Sequence, residues 1–367
     1  MLNILTQIIR ILVGVTFVFS GFVKLVDPIG SAYKFQDYFA ENVLNLEFLL
    51  PYTLPLAILL ILAELMLGVM LLLGVASRFT VWSLFILTLI FLFLTWYSAY
   101  FDKVTDCGCF GDAITLTPWE TFYKNVVLIV LIVYLMIRVF EIQSVLSPAF
   151  VAGMAVVILF ICLGIIFHVL RHLPMIDFRP YAVGNNIAEG MIIPEGAPES
   201  VYEDTWIYEV NGVKKEYASE EKPWNIDGAT FVDRKTKLIS EGYVPPIHDF
   251  TMQKDGVDIS EELLNEEKLL LVVMYNLDKS KKNVLKKVKE YTDKAMEKGY
   301  VVYGFSASTE EDFNKTKEKY EWDFDLLFCD ENTLKTIIRA NPGMVELNKG
   351  TVVGKWNFRD FNEIKFR

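Results

Sequence analysis

Cysteine is scarce in this chain, with four in 367 residues. That is too few for a disulfide-stapled scaffold and points instead to one reactive pair plus incidental residues. Histidine is scarcer still, at three. No His or third Cys stands near the one cysteine pair, so a tetrahedral metal set is incomplete there. Basic runs are absent and the net charge is −11, which argues against nucleic acid as a partner. Charge of either sign is nearly missing from the first half. Residues 1–170 carry seven Lys/Arg and ten Asp/Glu, against twenty-eight and thirty-six in the remaining 197. The chain therefore divides into a membrane module, with the lipid bilayer as its first partner, and a water-soluble part.

Five apolar segments reach bilayer length, near 5–24, 52–74, 79–100, 119–140 and 148–170. The first lacks a small-x-small cleavage site and reads as a retained span. An odd number of spans puts the termini on opposite sides. Lys/Arg placement does not decide the orientation. The 25–51 and 101–118 connections are long and polar, while 75–78 and 141–147 are short. Long loops and the large C-terminal part should share the outer side, where a labile disulfide persists. The expected arrangement is an N-terminus in the cytoplasm and a C-terminal domain in the periplasm, across a bacterial inner membrane.

The stretch Asp106-Cys107-Gly108-Cys109-Phe110-Gly111-Asp112 holds two of the four cysteines, in a polar turn between two spans. Its glycines allow the tight backbone that brings both sulfurs together. A Cys-x-Cys disulfide closes a very small ring and should be strained and easily reduced, which suits an electron carrier better than a staple. A purely structural tight loop is the alternative. Thr117-Pro118-Trp119-Glu120 is a capping box with Pro at the first helical position. It aims a helix N-terminus at that loop, with Lys124 and Asn125 about two turns in. A helix N-terminus and an ammonium both favour the thiolate. Lys124 also fits simple snorkelling. Trp119, Phe122 and Tyr123 read as an interfacial belt, and Cys162 as a small apolar filler.

Glu64 falls near mid-membrane, where an ionisable group needs a partner or a cavity. Arg10 is the expected partner. Counted from the inner ends at 1.5 Å per residue, Arg10 lies about 9 Å in and Glu64 about 15 Å. An ion pair fixing helix register and a proton-handling role are both compatible with it.

The first four spans resemble the DoxX/MauE family of small membrane proteins. Arg10, Gly14, Gly21-Phe22-Val23-Lys24-Leu25, Glu64, Gly68, Gly74 and Arg78 carry the likeness over roughly the first 140 residues. Cys107-Gly108-Cys109-Phe110-Gly111 points to the MauE side. The resemblance implies a four-helix bundle in the cytoplasmic membrane, linked to redox or disulfide chemistry and to maturation of an exported protein. By analogy with other four-helix disulfide-generating enzymes, a quinone is a candidate electron sink. Those enzymes use two cysteine pairs, and this chain has one.

The fifth span reads as a tether. Residues 171–243 read as a β-rich connector, with a hairpin from Thr205 to Tyr217 across Asn211-Gly212. From Val244 strands and helices alternate: strands at 269–275, 300–305 and 324–328, helices at 281–298, 310–320 and 331–339, then a hairpin at 343–356 and a last helix near 358–366. This order is similar to the thioredoxin fold in its peroxiredoxin/TlpA style, with Pro342 as the candidate cis-proline. The departure is decisive. Where that family carries Cys-x-x-Cys, this chain reads Tyr275-Asn276-Leu277-Asp278-Lys279-Ser280.

The expected architecture is thus a membrane module over 1–146, a fifth span over 147–170, a connector over 171–243 and a thioredoxin-like α/β domain over 244–367. Two functions follow. One is a membrane thiol–disulfide oxidoreductase in which Cys107 and Cys109 cycle, Lys124 favours the thiolate, and the distal domain recruits an exported client. The other is a non-catalytic assembly scaffold with a structural loop.

Overall fold

The computed structural model describes the chain except residues 1–3, 102, 105–107, 115, 145, 211 and 241, and the side chains of 148 and 238. Among the described residues, five helices are long and apolar enough to cross a membrane. They are α1 (Ile4–Val26), α3 (Thr53–Leu73), α4 (Ser77–Phe101), α5 (Pro118–Ile137) and α6 (Pro148–Val169). Between the first two lies α2 (Pro28–Phe39), where the sequence suggested only a long polar loop. Its start follows from local chemistry. Asp27 caps it by accepting from the Gly30 amide at 3.0 Å, and Pro28 supplies a preset φ at the first position. Helix α5 opens on the expected capping box between Thr117 and Glu120.

Helices α1 and α3 cross closely because glycine faces them. A Cβ on Gly21 would stand 2.9 Å from the Leu65 amide nitrogen, and one on Gly68 2.9 Å from that of Val18. Small residues at a crossing are how membrane helices gain packing where no hydrophobic drive exists. One end of the bundle gathers α2, the Gly108–Asp112 loop and the chain leaving α6. The other gathers Thr6, Ser77 and Glu141, with Thr6 Oγ1 donating to Glu141 at 2.6 Å.

Beyond α6 the chain enters an α/β domain whose helices and strands are α7 (Ile187–Gly190), β1 (Val201–Val210), β2 (Val213–Ala218), β3 (Ala229–Ser240), β4 (Gln253–Lys254), β5 (Val257–Asp258), α8 (Ser260–Leu264), β6 (Leu269–Val273), α9 (Lys282–Glu297), β7 (Val301–Ser306), α10 (Glu310–Tyr320), β8 (Asp325–Phe328), α11 (Glu331–Ile337), β9 (Gly343–Asn348) and β10 (Thr351–Asn357). The large sheet runs β10-β9-β6-β7-β8-β4-β5. Strands β6, β7 and β8 are parallel, and β9 and β10 antiparallel to their neighbours. Strand β6 is buried on both faces, as a continuous apolar run requires. Its Leu269, Leu271 and Val273 pack with Phe305, Leu327 and Leu334, while Leu270 and Val272, with Met274 just beyond the strand, pack with Val284, Val288 and Trp322. The Asn341–Pro342 peptide bond is cis.

Three expectations are corrected here. Residues 179–191, read as connector, belong to the distal core: Tyr181 and Ile187 are 2% and 1% exposed, and the Ile187 amide bonds the Gly350 carbonyl at 2.8 Å. The β-rich excursion therefore leaves the domain near Gly190 and returns at Ile247, whose amide bonds Gly190 at 3.1 Å. It forms an antiparallel sheet of order β2-β1-β3, and Asn211 of its expected turn lies outside the described residues. The helix expected near 358–366 is only a single 3-10 turn at Phe361–Glu363, because Phe361 and Phe366 pack down on the sheet rather than extending a helical stripe. The partner of Glu64 also differs from the one expected: it is Lys24, not Arg10.

Candidate functional site at the cysteine loop

Glu64 is fully buried in the middle of α3. Its partner is Lys24, whose Nζ lies 2.8 and 3.1 Å from the two carboxylate oxygens. Ser20 stands one turn before Lys24 on the same face of α1. Lys24 donates to Ser20 Oγ at 2.7 Å and to the Cys109 carbonyl at 2.7 Å. An ammonium has three hydrogens, and here three acceptors meet them: a carboxylate, a hydroxyl and a backbone carbonyl. Ser20 Oγ in turn lies 2.7 Å from the Cys109 carbonyl and 3.3 Å from Glu64. A buried ion pair is tolerable only when its remaining hydrogen-bonding capacity is met, and this one is met by the cysteine loop itself.

The expected Arg10–Glu64 pair does not form. Arg10 Nε donates to the Leu71 carbonyl at 2.8 Å and its Nη2 to Leu72 at 2.6 Å, with Nη1 on Gln7 Oε1 at 2.9 Å. It adds donors to the carbonyls at the C-terminal end of α3, where the Leu71 carbonyl also accepts from the Gly74 amide at 3.1 Å. Depth counted from the inner ends made Arg10 reachable, but Lys24 approaches Glu64 from the other end of α1.

The loop is shaped for this clamp. Gly108 and Gly111 have φ of +62° and +51°, and the Gly111 amide closes a turn on the Gly108 carbonyl at 3.1 Å. Between them Phe110 turns into the bundle, 5.6 Å from the Phe19 ring, and Lys124 Nζ stands 4.2 Å over its ring centre. Asn125 is buried and donates to Thr95 Oγ1 at 3.3 Å. Cys109 is half-buried. It borders two small cavities of about 50 and 20 Å³, and Lys124 and Asn125 line the second. Asp106 and Cys107 lie outside the described residues. Among the described residues no cluster of three or more His, Cys, Asp or Glu side chains converges to hold a metal.

Beyond Cys109 the loop meets the distal domain. Asp112 lies 3.6 Å from Arg339, which also bonds Asp27 at 2.9 Å. Burial would raise the Asp27 carboxyl, but Arg339 and Arg179 outweigh it and hold the group below the usual carboxylate range. Burial likewise disfavours the Arg339 guanidinium, yet Asp27 and Asp112 push it upward. Elsewhere in the domain Cys329 is fully buried, and burial pushes its thiol up to about 12. Cys162 is 3% exposed inside the membrane module.

Residues 2–138 match the family model of the methylamine utilisation protein MauE. This MauE-like region runs from α1 to the end of α5 and contains Ser20, Lys24, Glu64 and Cys109. The match and the five apolar helices make the chain a membrane protein. Residues 202–241 match a second model, a domain of unknown function (DUF8463), which coincides with the β2-β1-β3 sheet. No curated protein and no solved structure matches the chain.

Sequence reasoning found the MauE-like loop but missed Lys24 and Ser20 as its anchors. The available signal was their four-residue spacing on one face of α1. Arg339 and Asp27 gave none, because they meet only in three dimensions.

Proposed function

We propose that the protein is a membrane-anchored thiol–disulfide redox carrier of the MauE type that supports maturation of exported proteins. The observation that carries this reading is the clamp on Cys109. Lys24 and Ser20 both donate to its carbonyl, and Glu64 holds Lys24 in place, so a buried polar cluster of the membrane module serves the cysteine loop. A partner thiolate attacks the Cys107–Cys109 disulfide and forms a mixed disulfide, releasing one loop thiolate. The partner's second thiol then displaces the other loop sulfur. Two electrons and two protons pass from the partner dithiol to the loop, which ends as the dithiol. Lys124, held over the Phe110 ring, lines the cavity that Cys109 borders and puts a cation beside the exchanging sulfurs.

The same reading puts the N-terminus in the cytoplasm and the distal domain outside the cytoplasmic membrane. A thioredoxin-like identity for that domain is supported by its strand order and by the loop after β6. Ser280 Oγ donates to Asn341 Oδ1 at 3.0 Å and Asn341 Nδ2 to the Asn276 carbonyl at 2.7 Å. That loop holds no cysteine, so the domain contributes surface rather than thiols. A Cys109→Ser form should retain a mixed disulfide with a cellular partner through Cys107. Full function of a Cys107→Ser/Cys109→Ser form, with nothing trapped, would instead favour the non-catalytic scaffold.

A further inference from the structure

The route from water to Cys109 is set by how the distal domain sits on the bundle. Arg339, three residues before Pro342, reaches down to Asp27 and Asp112 and is only 6% exposed. Lys335, one turn earlier, stands 4.9 Å over the Tyr33 ring of α2. The same Lys335 Nζ lies 5.9 Å from the ring centre of Tyr275, two residues beyond β6. The face of the domain that carries the cis-proline and the cysteine-free loop is therefore turned toward its own membrane module. Beneath it remains a cleft of about 390 Å³, whose polar walls come from both modules. The cleft and the cavity at Cys109 share Lys24, Ser31, Lys34 and Gly108 as walls.

We propose that the distal domain roofs the cysteine loop, latched by Arg339 to Asp27 and Asp112, and that the cleft beneath it admits an unhindered thiol while excluding a folded dithiol protein. The volume decides the class. Cavities of about 300–1,000 Å³ are the range of small ligands. A folded partner needs an interface of about 800 Å² on each side, and Arg339 and Lys335 hold the distal domain against Asp27, Asp112 and Tyr33 on the face such a partner would approach. The thiol arrives on a small molecule or on an extended, unfolded segment of a client, since both present the same chemistry to the loop. Assigning thiol exchange to Cys109 rests on the proposed function; the roof and its latch do not.

The test uses full-length Cys107→Ser protein in lipid nanodiscs, so that Cys109 has no neighbouring thiol. Three maleimide carriers are compared: a small charged reagent, a short unfolded peptide and a small folded protein, with modification located at Cys109 by peptide mass mapping. The small reagent and the peptide should react readily, and the folded carrier about tenfold more slowly or worse, in proportion to the rarely open state it requires. In Arg339→Met that gap should largely close. Asp27→Asn, which weakens the latch from the bundle side, should narrow it too and covers the case in which Arg339→Met does not fold. A slow peptide beside a fast small reagent keeps the roof and names a small molecule as the thiol source. Equal rates for all three carriers, a gap unchanged in both variants, or no reaction with the small reagent would overturn the proposal. A redox failure appears separately, as absence of a trapped partner with size-selective labelling intact.

Discussion

Lys24 Nζ lies 2.7 Å from the carbonyl oxygen of Cys109 and 2.8 Å from the Glu64 carboxylate. One ammonium thus joins the buried acid of the membrane module to the backbone of the cysteine loop.

Removing that ammonium leaves a carboxylate buried without its charge partner. Lys24→Met should cost about 3–5 kcal/mol, the usual result of deleting one side of a buried pair. Lys24→Met/Glu64→Leu should recover much of the melting temperature in detergent. The double variant should still lose the ordered reactivity of Cys109, because the loop has lost its anchor.

The corrected partner of Glu64 can be checked by thermodynamic cycles. Lys24→Met and Glu64→Gln should couple by about 1–3 kcal/mol, while Arg10→Met and Glu64→Gln should add within about 0.5 kcal/mol. Arg10→Met alone should destabilise by about 1–3 kcal/mol, chiefly through the Leu72 carbonyl it leaves without a donor. Strong coupling between Arg10 and Glu64 would restore the pairing the sequence suggested.

Gly108 is expected to tolerate no side chain. At φ of +62° an alanine costs about 1–2 kcal/mol from the backbone alone. Its Cβ would also meet Lys34 Cγ at 3.0 Å. Gly108→Ala should therefore raise hydrogen exchange across the loop and change the alkylation rate of Cys109, with little effect on the distal domain.

In the distal domain, Lys355 bonds Asp177 at 2.7 Å while almost fully buried. Burial, reinforced by Arg179, pulls its ammonium down to about 7 despite Asp177. An unfolded lysine titrates at about 10.4. Between those values the unfolded chain holds a proton that the folded one has released, so stability should rise as pH increases from about 7 to 10. The melting transition of the distal domain should show that rise, and Lys355→Met should abolish it.

Much of this architecture was legible from residues alone. The five spans are runs that only a bilayer explains, and Thr117 to Glu120 announced the start of α5. The alternation that marked β6, α9, β7 and α10 comes from the same burial that now holds Leu269 to Val273. What was not legible depended on direction or distance. Lys24 stood out only as part of the family likeness, because a sequence does not say that its side chain folds back along α1 to Glu64. Ile187 and Tyr181 looked like connector because their partners, Gly350 and Phe250, lie far along the chain. The sequence also offered no means of joining Arg339 to Asp27 across 312 positions.

The most direct test of the redox account is differential alkylation of the peptide bearing Cys107 and Cys109, in sealed membranes, across a graded series of thiol reductant. Both thiols should be protected at the oxidising end and become labelled together by a membrane-impermeant reagent from the outer side, following a two-electron curve. Both thiols labelled at every potential, labelling only from the cytoplasmic side, or protection that no reductant removes would contradict it.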